Sequence, residues 1–188
     1  RKNYGGLHKL YDVEPDVAMF GKALGNGYAV TAVLGKREVM QAAEKSFISS
    51  TFWTERIGSS AGLATLKVMD KEKSWEKITK IGEYVNTEWM NLSKEFDLPI
   101  TISGLAALTT FSFKSENALA YKTFITQEML KKGYLAATAV YVCTAHTKDI
   151  IDGYIENIRP IFLTIKECED GRNIMDLLEG PIAHNGFK

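Results

Sequence analysis

Near residue 58 the spacing of apolar residues along this chain changes. Before that point they come in short runs closed by glycine; after it they recur every three or four residues over long stretches. Short closed runs suit strands covered by other layers, and a sustained helical period suits amphipathic helices, so the change predicts a strand-and-turn region followed by a helix-rich one. With 188 residues and 45% hydrophobic content the chain can bury a core large enough for one large or two small domains.

The pattern predicts a short buried strand over residues 13–20, a second over 28–35 closed by Gly35, and a helix over 36–45 with Val39, Met40 and Ala43 on one face. Residues 59–69, rich in Ala, Leu and Val, read as a buried helix. Residues 74–96 read as a long amphipathic helix on which Trp75, Ile78, Ile81, Val85, Trp89 and Leu92 recur, with Ser74 as an acceptable N-cap. Beyond Pro99 the signal alternates between strands and helices: a strand over 108–113, a helix over 117–132 stopped by Gly133, a strand over 140–144 and a helix over 148–166. Trp75 and Trp89 are expected in the core, and Cys143 as a small core residue. The last residues, 180–188, are expected to dock as a loop on the body.

Charge narrows the partners. Lys plus Arg number 23 and Asp plus Glu 23, so no net field draws the chain to nucleic acid or an acidic membrane surface, and a small molecule or another protein is the expected partner. No apolar run approaches the ~18 residues of a membrane span. Two cysteines, Cys143 and Cys168, are too few and too far apart for a disulfide framework or a metal cluster, which makes a reducing cytoplasm the expected compartment and leaves no metal site. The first residues, beginning at Arg1 without Met, read as the middle of a motif and hence as a piece of a longer protein.

Two segments carry chemistry. In Phe20-Gly21-Lys22-Ala23-Leu24-Gly25-Asn26-Gly27 a lysine follows a strand and precedes glycines, at the strand end where α/β folds hold ligand groups. Lysine there can bond covalently to a carbonyl compound, and glycine lets backbone approach a flat ring or a phosphate. An ordinary exposed lysine on a tight turn has the same local sequence. The order G-x-x-x-x-G-K-[ST] of a nucleotide-binding loop is absent, as is G-x-G-x-x-G. The second segment, Ser49-Ser50-Thr51-Phe52-Trp53-Thr54, gathers hydroxyls ahead of a helix, where free N–H groups and the helix dipole favour an anion such as phosphate. A Ser/Thr cap cluster with a packed aromatic pair accounts for it equally.

Together these segments resemble the class III, fold type I aminotransferases that depend on pyridoxal 5'-phosphate (PLP), and in particular the branch containing glutamate-1-semialdehyde 2,1-aminomutase. The likeness rests on Pro15-Asp16, on Gly21-Lys22-Ala23-Leu24-Gly25-Asn26-Gly27, on Thr51-Phe52 ahead of an Ala/Leu helix, and on Thr144-Ala145-His146-Thr147 with Asp149 at the start of the last helix. It implies that the chain is the C-terminal portion of an α/β, fold type I PLP-transferase: residues 1–69 from the PLP-binding large domain, 70–98 a connecting helix region, and 99–188 a small α+β C-terminal domain. It implies Lys22 as the Schiff-base lysine, both catalytic and cofactor-binding, and Thr51 as the residue that holds the cofactor phosphate across a homodimer interface. The activity implied is amino-group transfer between small-molecule amines and carbonyl compounds, or a 2,1-aminomutase reaction. A truncated, non-catalytic dimerisation or binding module and another PLP enzyme of the same fold are the alternatives. The resemblance also puts the acidic partner of the cofactor ring before Arg1. Where the family often has Ser-Gly-Asn-Pro, this chain has Trp53-Thr54-Glu55-Arg56, a change expected to reshape the substrate side. Glu55 and Arg56 are expected to pair on the surface or touch substrate, and His146 to serve at the helix start.

Overall fold

The computed structural model describes residues 1–184 and Gly186. It divides the chain into two compact units, Arg1–Glu76 and Lys77–Lys188.

In the first unit two strands, β1 (Val17–Phe20) and β2 (Ala32–Gly35), pair antiparallel with Val17 opposite Gly35 and Phe20 opposite Ala32. Asp16 and Lys36 close the base of this hairpin through a 2.7 Å ion pair and a 3.0 Å bond from the Lys36 N–H to the Asp16 carbonyl. The hydrogen bond and charge of Lys36 hold the Asp16 carboxyl below its usual range. Pro15-Asp16 thus has a visible structural task. The expected helix over 36–45 divides into a single α-helical turn, α1 (Arg37–Met40), and a 3-10 segment, Gln41–Lys45. Helix α2 (Ile57–Glu72) follows and ends at Lys73, whose left-handed φ of 49° separates it from α3 (Ser74–Glu95). Ser74 is therefore the first helical residue of α3 and not its cap.

Burial corrects the reading of this unit. Neither β1 nor α2 is a buried element: exposed and half-buried residues alternate along β1, and Gly62 is the one buried residue of α2 while Leu63 and Val68 face solvent. Apolar runs report that a segment can be covered; among the described residues no layer covers these. Trp75 stands half-buried, its ring 5.5 Å from that of Tyr4 and beneath the Lys73 ammonium, outside the main core.

The second unit has that core. Strands β3 (Ile100–Leu105), β4 (Leu108–Phe113) and β5 (Ala139–Tyr141) form an antiparallel sheet in that order, with Ile100 opposite Phe113 and Leu108 opposite Tyr141. The alternation in β4 sends Thr109, Phe111 and Phe113 inward, as a period of two requires. The strand β3 was not resolved from the sequence, because Ile100-Thr101-Ile102-Ser103-Gly104-Leu105 is short and broken by Gly104, at φ +89°. Helices α3, α4 (Ala118–Lys131) and α5 (Lys148–Glu169) supply Val85, Trp89, Leu92, Tyr121, Ile125, Met129, Ile158, Phe162 and Ile165, all nearly inaccessible. Trp89 lies 4.6 Å from the Phe111 ring, and Phe113 lies 5.3 Å from Phe162. Tilted and edge-on aromatic pairs of this kind add about 0.5–1.5 kcal/mol each beyond their buried area. Trp89 Nε1–H donates to Tyr154 Oη at 3.0 Å, so the polar handle of a fully buried indole is paired. Gly82 lets α3 touch the β3–β4 turn: a Cβ there would lie 1.8 Å from the Ala106 carbonyl oxygen.

Gly133, at φ +83°, follows α4 as expected of a C′ residue. The terminal segment docks through Ile182 on the core and the Ala183 N–H on Thr123 Oγ1; the expectation for Asn185, Phe187 and Lys188 lies outside the described residues. Cys143 departs from expectation. β5 ends at Tyr141, Val142 takes the buried position, and Cys143 turns to solvent.

Candidate active site

The loop between β1 and β2 carries Lys22. A 3-10 turn over Lys22–Leu24 starts directly after the strand, and the Lys22 carbonyl accepts from the N–H groups of Gly25 and Asn26, both at 3.2 Å. Lys22 itself has φ +48°, with Asn26 at +47° and Gly27 at +105°. A left-handed conformation is ordinary for Gly and Asn but costs a lysine on the order of 1 kcal/mol or more, and such strain concentrates at functional positions. Gly25 is obligatory for a different reason, since a Cβ on it would sit 2.0 Å from the Tyr28 carbonyl oxygen. The turn is therefore closed by backbone contact, and the Lys22 side chain projects from it exposed.

Thr51 opens a second turn, over residues 51–54, in which Ser50 Oγ accepts from the Phe52 N–H at 3.3 Å and the Phe52 carbonyl accepts from the Glu55 N–H at 3.2 Å. The hydroxyl cluster thus organises its own turn and does not cap the helix. Arg56 holds the N-cap position of α2 and makes no capping side-chain bond. Thr51, Phe52, Trp53 and Thr54 are all exposed. Among the described residues Glu55 and Arg56 form no ion pair with one another.

Helix α2 packs against the Lys22 loop. A Cβ on Gly58 would lie 2.8 Å from the Ala29 carbonyl oxygen, and one on Gly62 would lie 3.8 Å from Leu24, so the small face of α2 seats directly on the Lys22 loop. The turn that begins at Thr51 runs into that same helix. Glycines four apart on one helix face are the sequence signal for such an approach.

A second polar cluster lies in the other unit. Asp152 accepts from Tyr84 Oη at 2.5 Å and from Lys148 Nζ at 2.6 Å, and the Lys148 ammonium stands 4.8 Å from the Tyr84 ring centre. The hydrogen bond from Lys148, then that from Tyr84, lowers the Asp152 carboxyl, and the bond to Asp152 raises the phenol. The Lys148/Asp152 spacing of four was legible; Tyr84 came only with the packing. His146 closes the preceding turn, its Nδ1 accepting from the Cys143 N–H at 3.3 Å, while Thr147 caps α5 through a 3.4 Å bond from the Ile150 N–H. Among the described residues no group of three or more His, Cys, Asp or Glu side chains could hold a metal ion, and no helix is long and apolar enough to cross a membrane.

Residues 4–161 match the family model described as aminotransferase class-III. The chain is 30% identical over 173 residues to a 3-aminobutyryl-CoA aminotransferase of Cloacimonas acidaminovorans, covering 89% of this chain and 42% of that protein. It is 28% identical to a glutamate-1-semialdehyde 2,1-aminomutase of Methanosphaera stadtmanae, covering 81% of this chain and 40% of that one. In structure it resembles the PLP internal aldimine form of the FumI protein of Sphingopyxis sp. MTA144, with a TM-score of 0.78, 20% identity, and coverage of 91% of this chain and 42% of that one. The chain thus spans about two fifths of the length of the relatives it matches.

Proposed function

This chain belongs to the class III aminotransferase family, and from that premise we propose that the protein carrying it is a PLP-dependent aminotransferase or 2,1-aminomutase in which Lys22 is the catalytic and cofactor-holding lysine. The observation that carries the reading is the left-handed backbone of Lys22 just after β1, on a turn whose Gly25 cannot take a Cβ without collision with the Tyr28 carbonyl. A lysine held at such a cost, with its amine free, is what covalent capture of an aldehyde requires.

The residues present fit the cofactor. Lys22 supplies the primary amine, Thr51 a hydroxyl for the phosphate, and the first turn of α2, uncapped by the Arg56 side chain, a field that favours an anion. PLP, when bound, supplies the electron sink that lets a carbon next to the amine lose its proton. Lys22 Nζ would hold the cofactor through its primary amine, and as a free amine would serve as the general base and acid that moves a proton. Thr51 would serve the cofactor of a second subunit, which makes the protein a homodimer. In this reading residues 1–69 belong to the large domain, 70–98 connect, and 99–188 form the small domain. Substrates are small amines and carbonyl compounds.

The test is borohydride reduction of the full-length protein after PLP is added, followed by peptide mapping. The cofactor mass is expected on the peptide containing Lys22, with the visible absorbance of bound PLP lost in Lys22→Ala. A full-length protein that takes up no PLP would support the non-catalytic alternative, a dimerisation or binding module. That alternative draws on one observation: within the first unit only Gly25 and Gly62 are buried. Product analysis with an amine donor and a keto acceptor separates a transaminase from other PLP enzymes of the fold, because only the transaminase consumes the acceptor in proportion.

A further inference from the structure

Three side chains four residues apart on α4, Thr123, Gln127 and Lys131, all hold the segment that follows α5. A spacing of four puts them in one row along the helix. Gln127, in the middle of the row, grips main chain: its Nε2 donates to the Leu177 carbonyl at 2.9 Å, and its Oε1 accepts from the Glu179 N–H at 2.8 Å. A carbonyl and the N–H two residues on are what a neighbouring strand engages in a parallel ladder, so one carboxamide stands in for a strand here. Lys131 Nζ reaches the Glu179 carboxylate at 2.6 Å while holding Glu128 at 2.7 Å. Thr123 Oγ1 accepts from the Ala183 N–H at 3.1 Å.

Apolar contact is thin by comparison. Ile174 is the one buried side chain among residues 173–184, and Leu177, Leu178 and Ile182 are half-buried against the core. A Cβ on Gly180 would meet nothing within 4 Å, so the middle of the segment is not packed. Phe124, Ile125 and Met129, on the inner face of α4, belong to the core they share with Phe111 and Phe162. The segment is thus held mainly by polar groups that water can satisfy once it leaves, and its release breaks few apolar contacts.

We propose that residues 177–184 are a strap that leaves α4 and returns as one unit while the core stays folded, with Ile174 anchoring one end and Gln127 as the latch. This device does not depend on the reading of Lys22.

The experiment is native-state hydrogen exchange on the full-length protein, read at single amides by mass spectrometry. The Glu179 and Ala183 amides are expected to exchange through one opening event that urea well below the unfolding midpoint does not accelerate. Those of Phe111 and Phe162 are expected to exchange more slowly and to accelerate with urea. Gln127→Ala removes both latch bonds and is expected to speed exchange at Glu179 and Ala183 alike, about tenfold, leaving Phe111 and Phe162 within about twofold. Ala183 bonds to Thr123, one turn away from Gln127, so its acceleration is the mark of a single unit. Glu179→Pro removes the N–H from the strap's side together with the Lys131 bridge, and is expected to speed Ala183 at least as much. Leu178, at φ −84° and ψ 132°, already has the backbone that a following proline needs. An unchanged Ala183 rate in either variant would overturn the proposal, because the contacts would then be independent. So would equal acceleration at Phe111 and Phe162, which would make the segment part of the core.

Discussion

The two units of this chain use apolar residues in opposite ways. In Lys77–Lys188 the large side chains close on one another: Val85, Trp89, Tyr121, Ile125, Met129, Ile158, Phe162 and Ile165 are each 0% exposed. In Arg1–Glu76 they point outward, with Phe47 94%, Met19 82% and Trp53 67% exposed. The candidate site lies in the second kind of region. Its local geometry is set by backbone contact, in which Gly25 meets Tyr28 and Gly58 meets Ala29, and not by a surrounding core. The Lys22 and Thr51 side chains remain accessible on such a scaffold, whereas the helices and sheet of the other unit hold the buried core.

The sharpest way to break this contrast is to separate the units. Residues 74–188 produced alone are expected to unfold cooperatively in urea with dispersed amide resonances, because every contact of that core lies within them. Residues 1–76 alone are expected to show no cooperative transition. A cooperative fold for 1–76 would mean that backbone contacts suffice and the contrast is overdrawn.

Next in size is the core itself. Trp89→Ala removes a fully buried indole and its bond to Tyr154, with an expected loss of about 3–5 kcal/mol in the urea-determined stability. The same substitution at Trp53 is expected to change stability by no more than about 0.5 kcal/mol. Equal effects at the two tryptophans would refute the assignment of stability to the second unit.

A smaller effect should appear at high pH. Burial, and then its hydrogen bond to Glu169, push the Tyr121 phenol up to about 12, above the ordinary tyrosine value of about 10. The folded state therefore keeps this proton more tightly than the unfolded one. The stability it contributes is present below about pH 10 and is lost as pH rises from there toward 12. Tyr121→Phe is expected to cost about 1 kcal/mol near neutrality and to flatten the alkaline decline. An unchanged slope between pH 10 and 12 would assign the decline to other groups.

Much of this fold was readable because its signals are local. Helix α3 follows from one apolar stripe, β4 from strict alternation, and the end of α4 from Gly133. The turns that carry the candidate residues were readable for the same reason: Lys22 and Thr51 each sit in a contiguous run whose residue types favour a turn. Failures came where a neighbour distant in sequence decides. Trp75 and Trp89 lie on the same predicted stripe, yet Trp89 meets Phe111 and Tyr154 in the core while Trp75, half-buried, meets Tyr4 and the Lys73 ammonium. Cys143 sits in an apolar run, but β5 stops at Tyr141 and hands the buried position to Val142.

By itself, then, the sequence determined which segments could turn, twist or coil, and it determined Lys22, Gly25 and Gly27 as a turn able to hold an amine at a strand end, because torsional preferences and side-chain chemistry act within a few residues. Only the tertiary structure decided that Gly58 and Gly62 seat α2 on that turn, that Lys22 takes a left-handed backbone there, and that Asp152 draws Tyr84 and Lys148 to one carboxylate. Each of these depends on backbone segments meeting across the fold, and no local preference encodes a meeting.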